Sequence, residues 1–258
     1  MKTTNLFDLK DKTAIVTGGA NGIGKASCEM LAAYGANVVV SDYNLEDAKK
    51  TSKAINDDGG KTIAVDCDVT KDEALVNLVD KTVKEFGGIH ILVNNVGGGG
   101  AGKESPYDID VEQFKKVYEM NVFSMWRLCQ LVAPHMKKAG YGSIINMSSM
   151  ASINKSPAIS AYASSKAAIN HMTRNLAFDY GPDEIRINAI GPGAVKTHAL
   201  STVLTPEIEE KMLAHTPIKR LGEPEDIAGA VLYFAAPISK WTSGQVIFVN
   251  GGGVQTLD

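Results

Sequence analysis

The sequence predicts an α/β domain in which a doubly wound parallel sheet of seven strands carries helices on both faces. Seven short apolar runs alternate with longer amphipathic segments along the 258 residues. The runs are apolar at consecutive positions, which is typical of strands buried on both faces of a parallel sheet. A glycine-rich turn joins the first run to the first helical segment, as in doubly wound domains.

The predicted elements follow one another without a linker, a low-complexity stretch or an internal repeat, so we expect one domain over residues 1–258. Strands are predicted at 14–17, 37–41, 62–66, 89–94, 143–147, 186–190 and 245–249. Helices are predicted from the glycine turn through residue 31 and at 45–58, 71–86, 110–139, 160–180 and 224–236.

Composition limits the classes of partner. The chain is 44% hydrophobic and has 26 Lys and Arg against 29 Asp and Glu, a net charge of −3, which argues against nucleic acid or an anionic membrane. No stretch approaches the ~20 apolar residues of a membrane span, and the N-terminal segment does not read as a secretory signal. Cys28, Cys67 and Cys129 show no metal-ligand spacing, so we expect no metal and a reducing, cytoplasmic compartment.

The glycine-rich turn at residues 17–24 predicts a dinucleotide site. Gly18, Gly22 and Gly24 permit a tight turn, close approach of the backbone to a pyrophosphate, and close packing of the helix on the strand. The start of the helix then presents unpaired N–H groups to the phosphates. A merely tight connection is the alternative, but the turn stands in the required context between a strand and a helix.

Asp42 closes the second strand, 18 residues after Gly24. A carboxylate there can accept hydrogen bonds from an adenosine ribose and repels the 2′-phosphate of NADP. Asn21 and Tyr43 are neutral rather than basic, so we expect NAD as the cofactor. The alternative is that Asp42 only caps the following turn.

Tyr162 and Lys166 lie one helical turn apart and therefore share one face of their helix. A nearby cation favours an ionised phenol, so Tyr162 could take a proton from an alcohol at neutral pH. An ordinary surface pair is the alternative.

Ser149 ends the fifth strand, at the ligand edge of such a sheet, where its hydroxyl could donate to a substrate oxygen. Side chains alternate along a strand, so only Ser149 or its neighbour Ser148 should face the site.

Taken together, these residues resemble the short-chain dehydrogenase/reductase family over nearly the whole chain. The resemblance is carried by the glycine turn, Asp68, Val69, Asn94, Asn95, Val96, Gly97, Asn121, Ser149, Tyr162, Lys166, Pro192, Gly193 and Thr197. Val96 stands where the family usually has alanine. The resemblance implies a Rossmann fold, an NAD-dependent dehydrogenase of a secondary alcohol, and a homo-oligomer, with a tetramer favoured, assembled through helices around Trp126 and 160–180.

The resemblance also implies roles for individual residues. The catalytic set is Asn121, Ser149, Tyr162 and Lys166; Asn121 would hold a water in a proton relay, and Lys166 would bind the nicotinamide ribose and lower the pKa of Tyr162. The cofactor set is Gly18, Asn21, Gly22, Ile23, Gly24, Asp42, Asp68, Val69, Asn95, Gly97, Tyr162, Lys166, Pro192, Gly193, Val195 and Thr197. Asp66 is the alternative to Asp68 at the adenine edge. The substrate set is Ser149, Gly99 and Tyr162.

A narrower likeness concerns bacterial members of the family that act on the 7α-hydroxyl of bile acids. It covers residues 97–100, 118–124, 130–134, 205–209 and 251–255, and it implies a hydroxysteroid substrate. The alternatives are a dehydrogenase of another alcohol or ketone, such as a sugar acid or a 3-oxoacyl thioester, and a non-catalytic dinucleotide-binding sensor. The intact Ser149, Tyr162, Lys166 and Asn121 set argues against the sensor.

The long segment 191–222 after the sixth strand is predicted to be a lid. It contains one short helical pattern at 206–213 and is rich in apolar residues, namely Val195, Leu200, Val203, Leu204, Ile208, Met212 and Leu213. Long connections in compact domains are usually functional, and an apolar lid suits a bulky, rigid substrate. The alternative is a fixed packing element.

Overall fold

Strands and helices alternate along the chain, as the sequence pattern predicts. The computed structural model describes residues 6–99, 104–155, 157–197, 200 and 204–253. The strands are β1 Thr13–Thr17, β2 Asn37–Asp42, β3 Lys61–Asp66, β4 Ile91–Asn94, β5 Gly142–Met147, β6 Ile185–Pro192 and β7 Val246–Val249. The helices are α1 Gly22–Ala33, α2 Leu45–Asp57, α3 Asp72–Phe86, α4 Val111–Tyr118, α5 Ser124–Ala139, α6 Ser160–Tyr180, α7 Pro206–Ala214 and α8 Pro224–Ala235.

The seven strands form one parallel sheet in the order β3-β2-β1-β4-β5-β6-β7. The chain builds outward from β1 in one direction and from β4 in the other. A crevice therefore opens at the carboxyl ends of β1 and β4, the usual position of a ligand in such a sheet. The predicted fold class is confirmed.

Helices cover both faces of the sheet, which explains why the strands are apolar at consecutive positions. One buried cluster contains Leu31 of α1 and Val231 of α8. The other contains Leu78 of α3, Leu128 of α5 and Leu176 of α6. Among the described residues, no helix has the length and apolar character needed to cross a bilayer.

The helix predicted over 110–139 is interrupted. A π turn, Glu119–Phe123, separates α4 from α5, and Asn121 lies buried at its centre. A π turn adds one residue to a helical turn and occurs frequently at functional sites. One wide turn does not interrupt the amphipathic pattern, so the sequence gives no sign of the π turn.

The segment after β6 is attached to the body at both ends. Val195 is buried and forms a parallel bridge with Gly222. Between them lies α7, which has no buried residue. Val203, one of the apolar residues predicted to form the lid, is outside the described residues.

Candidate active site

Tyr162 is the third residue of α6, and the side chain of Ser149 lies close enough to its phenol to lower the pKa of that group. Ser149 follows β5 and begins a short 3-10 turn, where its Oγ accepts the Ala151 N–H at 3.1 Å. The neighbouring Ser148 points elsewhere, since its Oγ donates to the Lys166 carbonyl at 3.3 Å. Of the two serines, Ser149 is therefore the one beside the phenol.

Lys166 is buried one turn further along α6. Its Nζ donates to the Met147 carbonyl at 2.8 Å and lies 5.7 Å from the centroid of the Tyr162 ring. Burial lowers the pKa of Lys166 to about 8, because a neutral carbonyl does not replace the lost hydration of the ammonium. Lys166 is therefore a cation that can lose its proton near physiological pH.

The pKa of Tyr162 moves in the direction opposite to the sequence expectation. Burial raises the pKa of the phenol, and the hydrogen bond with Ser149 opposes that change without cancelling it. Loss of water around the phenolate is the larger effect, and the Lys166 ammonium is directed to the Met147 carbonyl. The net pKa of Tyr162 is therefore set by burial, and the expectation that Lys166 lowers it stays a prediction.

Asn121 is tied to α6 through its amide. Its Oδ1 accepts the Gly98 N–H at 2.9 Å, and its Nδ2 donates to the Gly98 carbonyl at 2.9 Å and to Ser165 Oγ at 2.8 Å. Ser165 Oγ donates in turn to the Tyr162 carbonyl at 2.7 Å. Both hydrogens of the buried amide are thus used, and its oxygen accepts one hydrogen bond, as burial requires. The sequence analysis did not identify Ser165. Its position three residues after Tyr162 could have indicated it, because such residues are neighbours on a helix.

The glycine run after β4 allows the backbone to approach the catalytic side chains. A Cβ built on Gly97 would lie 2.6 Å from Lys166 Nζ and 3.2 Å from Asn121 Oδ1. A Cβ on Gly99 would lie 2.5 Å from Tyr162 Cβ. The contact with Tyr162 Cβ excludes a side chain at Gly99, whereas a side chain at Gly97 would displace the Lys166 ammonium. Gly99, which was predicted to contact substrate, packs against Tyr162.

The glycine turn after β1 is held by Asn95. The Asn95 Nδ2 donates to the carbonyls of Thr17 at 2.9 Å and Gly18 at 3.2 Å. Gly18 has a φ of 62°, and a Cβ on Gly24 would lie 2.0 Å from the Gly18 carbonyl oxygen. Asn95 therefore shapes the turn itself, in addition to any contact with a nucleotide.

The start of α1 has no cap from a side chain. Asn21 is the N-cap residue, and its side chain makes no cap hydrogen bond. The first N–H groups of a helix have no partner within the helix, so those of Gly22, Ile23 and Gly24 remain available for an anion.

Asp42 is buried at the end of β2. Its Oδ2 accepts the Ala20 N–H at 3.1 Å, and its Oδ1 accepts the Asn44 N–H at 3.0 Å. Asp42 therefore caps the following turn and also anchors the glycine turn, and each oxygen keeps a free lone pair. The adjacent Tyr43 is 81% exposed.

Beyond β3, Asp66, Asp68 and Tyr43 border a shallow depression. Asp68 Oδ1 accepts both the Thr70 N–H at 3.0 Å and the Thr70 hydroxyl at 2.7 Å, which lowers the pKa of Asp68. Val69 is buried beside it. Asp66 and Asp68 both lie at this edge, so both stay candidates for the contact with the adenine.

The chain after β6 returns to the glycine turn. Pro192 ends the strand, and the Gly193 N–H donates to the Val249 carbonyl at 3.0 Å. Thr197 Cγ2 lies 3.3 Å from the position that a Cβ on Gly22 would occupy. The predicted residues at the carboxyl ends of the six strands β1 to β6 therefore lie along one edge of the sheet.

Comparisons with known proteins agree with this geometry. The family model described as Enoyl-(Acyl carrier protein) reductase matches residues 18–253. A 7alpha-hydroxysteroid dehydrogenase of Escherichia coli K12 is 49% identical over 250 residues, 97% of each chain. One from Clostridium sardiniense is 38% identical, covering 95% of this chain and 94% of that protein.

A solved structure extends the comparison. It is a 7 alpha-hydroxysteroid dehydrogenase complexed with NADH and 7-oxo glycochenodeoxycholic acid, 48% identical, and it superposes with a TM-score of 0.95 over 100% of both chains. Sequence, fold and site together show that this chain belongs to the short-chain dehydrogenase/reductase family.

Proposed function

We propose that this chain is an NAD-dependent dehydrogenase that oxidises the 7α-hydroxyl of bile acids and related hydroxysteroids, or reduces the corresponding ketone. The observation that carries the proposal is the placement of Ser149 beside the Tyr162 phenol, with the buried Lys166 one turn further along α6, at the carboxyl edge of the sheet. The two bacterial dehydrogenases and the complex with NADH and a 7-oxo bile acid support the substrate and the cofactor.

The crevice fits NAD. The uncapped start of α1 and the glycine turn, in which no Cβ can be placed on Gly24, suit a pyrophosphate. The buried Asp42 can accept hydrogen bonds from the adenosine ribose, and its charge disfavours NADP. We assign Lys166 to the nicotinamide ribose and Thr197 to the carboxamide. When bound, the nicotinamide exchanges a hydride with the substrate carbon.

Tyr162 exchanges the proton in this mechanism. In reduction its neutral phenol donates a proton to the substrate oxygen, and in oxidation its phenolate accepts one. Ser149 donates a hydrogen bond to the same oxygen. Because burial raises the pKa of Tyr162, the phenol is protonated at neutral pH, and we expect oxidation to accelerate as pH rises.

The proton relay that the resemblance implies remains part of the proposal. Lys166 Nζ and Asn121 Oδ1 both lie close to the position of a Cβ on Gly97, so the two polar groups border the same small space. The Asn121 amide is already engaged with Gly98 and Ser165. Asn121 Oδ1 accepts one hydrogen bond and keeps one lone pair, through which it could hold a relay water on the side of Lys166.

The test is the formation of NADH, followed by absorbance, when purified protein is mixed with NAD and cholic acid. We expect turnover with cholic acid and none with a bile acid that lacks the 7-hydroxyl. The 7β epimer is a second control, because it keeps the hydroxyl and changes only its direction. Turnover of gluconate or of a 3-oxoacyl thioester, with none of cholic acid, would contradict the steroid assignment and favour the alternatives.

We infer a homo-oligomer, with a tetramer favoured. Large apolar side chains stand free on the single chain, since Trp241 is 97%, Phe178 is 86% and Phe123 is 53% exposed. Phe178 lies in α6, and Phe123 directly precedes α5, so a second copy could cover them. Light scattering coupled to size exclusion gives the mass. A monomer at micromolar concentration would contradict this inference.

We also infer a cytoplasmic location. Cys28, Cys67 and Cys129 are all buried free thiols. Burial raises the pKa of Cys67 to about 11 and that of Cys129 to about 12, which makes both unreactive packing groups. Fractionation of the source cells tests the location.

We retain the proposal that 191–222 is a lid. Helix α7 has no buried residue, and its Met212 side chain is 37% exposed. Leu213 of the same helix lines a cavity together with Ile218 and Asn250. Backbone amides of the described part of 195–215 should exchange fast in the protein alone. They should become protected when NADH and a steroid are both bound. Equal, high protection in both states would support a fixed packing element instead.

A further inference from the structure

Glu104 is a carboxylic acid with no exposed surface, close to the active site, in a stretch where the sequence shows no periodicity. Burial of a carboxylate is unfavourable unless hydrogen bonds replace its hydration. Its Oε2 accepts the Ala161 N–H at 2.8 Å and the Tyr162 N–H at 3.2 Å. The carboxylate is therefore bonded directly to the backbone of the residue that exchanges the proton.

These two amides are the second and third N–H groups of α6, the groups that a helix cap normally satisfies. The N-cap residue of α6 is Ile159, whose side chain cannot accept a hydrogen bond. Glu104 supplies the missing acceptor from 57 residues away in the chain. Its negative charge also faces the positive end of the helix dipole.

The backbone around Glu104 is locked to the same turn. The Glu104 N–H donates to the Ala158 carbonyl at 2.9 Å, and Glu104 forms a parallel bridge with Ile159. Ala158 has a φ of 55°, in the left-handed region that disfavours alanine. A strained residue of this kind persists only where neighbouring contacts hold it.

Tyr162 is therefore held from two sides by one stretch of chain. The Gly99 backbone lies against the Tyr162 ring, since a Cβ there would be 2.8 Å from Tyr162 Cδ2. Five residues later, Glu104 bonds the Tyr162 amide. Gly99 and Glu104 thus both contact the residue that exchanges the proton.

We propose that Glu104 is a positioning residue, which caps α6 across the crevice and thereby sets the place of the Tyr162 phenol relative to Ser149. It does not touch the reacting atoms, and it acts through the first turn of α6. The proposal rests on the assignment of Tyr162 as the group that exchanges the proton.

The test compares Glu104→Ala with Glu104→Gln, which keeps the shape and one acceptor oxygen but removes the charge. We expect Glu104→Ala to lower kcat by about 10- to 100-fold, because small misplacements of a reacting group have effects of this size. Glu104→Gln should lose no more than about fivefold, since a neutral acceptor is weaker but still present. The Kd for NADH should stay within about twofold, because the cofactor contacts lie elsewhere.

Hydrogen exchange gives a readout that needs no substrate. The Ala161 and Tyr162 amides should exchange about 5- to 30-fold faster in Glu104→Ala, the range expected when a helix cap is lost. If wild-type protein does not oxidise cholic acid, the proposed function fails while the exchange data still test the cap. The kcat series is then measured with whichever alcohol the wild type oxidises.

Asp110→Ala is the matched control. Asp110 is the N-cap of α4, where its Oδ1 accepts the Gln113 N–H at 2.7 Å, so its removal also deletes a carboxylate cap. We expect Asp110→Ala to keep kcat. Wild-type kcat in Glu104→Ala would overturn the proposal, as would equal losses of kcat and NADH affinity in both Glu104 variants. If Glu104→Ala does not fold, Glu104→Thr replaces it, because its shorter side chain does not reach the two amides, and wild-type kcat with wild-type exchange of the Ala161 and Tyr162 amides in Glu104→Thr would overturn the proposal.

Discussion

Helices α1 and α6 both begin at the carboxyl edge of the sheet, and their first turns differ in one respect. The N-cap residue of each, Asn21 for α1 and Ile159 for α6, makes no cap hydrogen bond through its side chain. In α6 the carboxylate of Glu104 occupies the cap position, whereas α1 has a glycine turn there.

The open start of α1 is suited to binding a ligand, whereas the capped start of α6 is suited to positioning a side chain. An open helix start attracts an anion, so α1 suits a pyrophosphate that arrives and leaves with the cofactor. A start closed by a built-in carboxylate cannot hold a second anion, but it fixes the residues of the first turn. Tyr162 is the third residue of that turn. The unpaired N–H groups of a helix start thus suit a ligand in α1, whereas in α6 they bind a side chain of the protein itself.

Removal of the Tyr162 hydroxyl should have the largest effect. Tyr162→Phe leaves the ring and the capped first turn of α6 in place and removes only the group that exchanges the proton. We expect kcat to fall by about 10²- to 10⁴-fold, while the Kd for NADH, measured by fluorescence, is unchanged. Wild-type turnover would remove Tyr162 from the mechanism, and a parallel loss of NADH binding would show that the two helix starts are not independent.

Gly24→Ala should have the converse effect. The added Cβ would lie 2.0 Å from the Gly18 carbonyl oxygen, so the glycine turn must move. We expect the Kd for NADH to rise about 10- to 100-fold, because overpacking of this kind has a free-energy cost of that size. Hydrogen exchange of the α6 amides should stay unchanged. Gly229→Ala in α8 is the control, because a Cβ there meets no atom within 4 Å. Unaltered NADH affinity in Gly24→Ala would exclude the turn from the binding site.

Lys166 predicts a pH dependence of stability. Its pKa in the folded protein is lowered to about 8 from an ordinary value of 10.5, so the unfolded chain binds more protons between these values. The free energy of unfolding should therefore rise by about 2 kcal/mol from pH 8 to pH 10 through this group. Urea titrations at both pH values should show that Lys166→Met lacks this increment. An identical pH dependence in wild type and variant would mean that Lys166 titrates normally.

Asp42 should set the choice between NAD and NADP, with an effect of about tenfold in each direction. Asp42→Ala with Tyr43→Arg removes the carboxylate and adds a phosphate partner, so kcat/KM should fall with NAD and rise with NADP. Because Asp42 also holds the Ala20 N–H, Asp42→Asn serves as the control that removes charge and keeps an acceptor. A wild-type preference for NADP would contradict the assignment.

Much of this site could be predicted because its geometry is local. Tyr162 and Lys166 share a face since four residues nearly complete one helical turn. Ser149 and Asp42 lie at one edge since parallel strands present their carboxyl ends together. The alternation of apolar runs and amphipathic segments determined the fold class for the same reason, because each pattern records the period of one element.

Only the tertiary structure decided the contacts between distant stretches. The direction of the Tyr162 pKa depends on burial, which no pair spacing reveals. The π turn at Asn121 accompanies contacts with Gly98 and Ser165 on other elements. Glu104 caps a helix that starts more than fifty residues later, within a stretch without periodicity. By itself the sequence determined which chemical groups reach the edge of the sheet, because backbone geometry is periodic. Packing decided their hydration and their exact partners, because those depend on which surfaces meet.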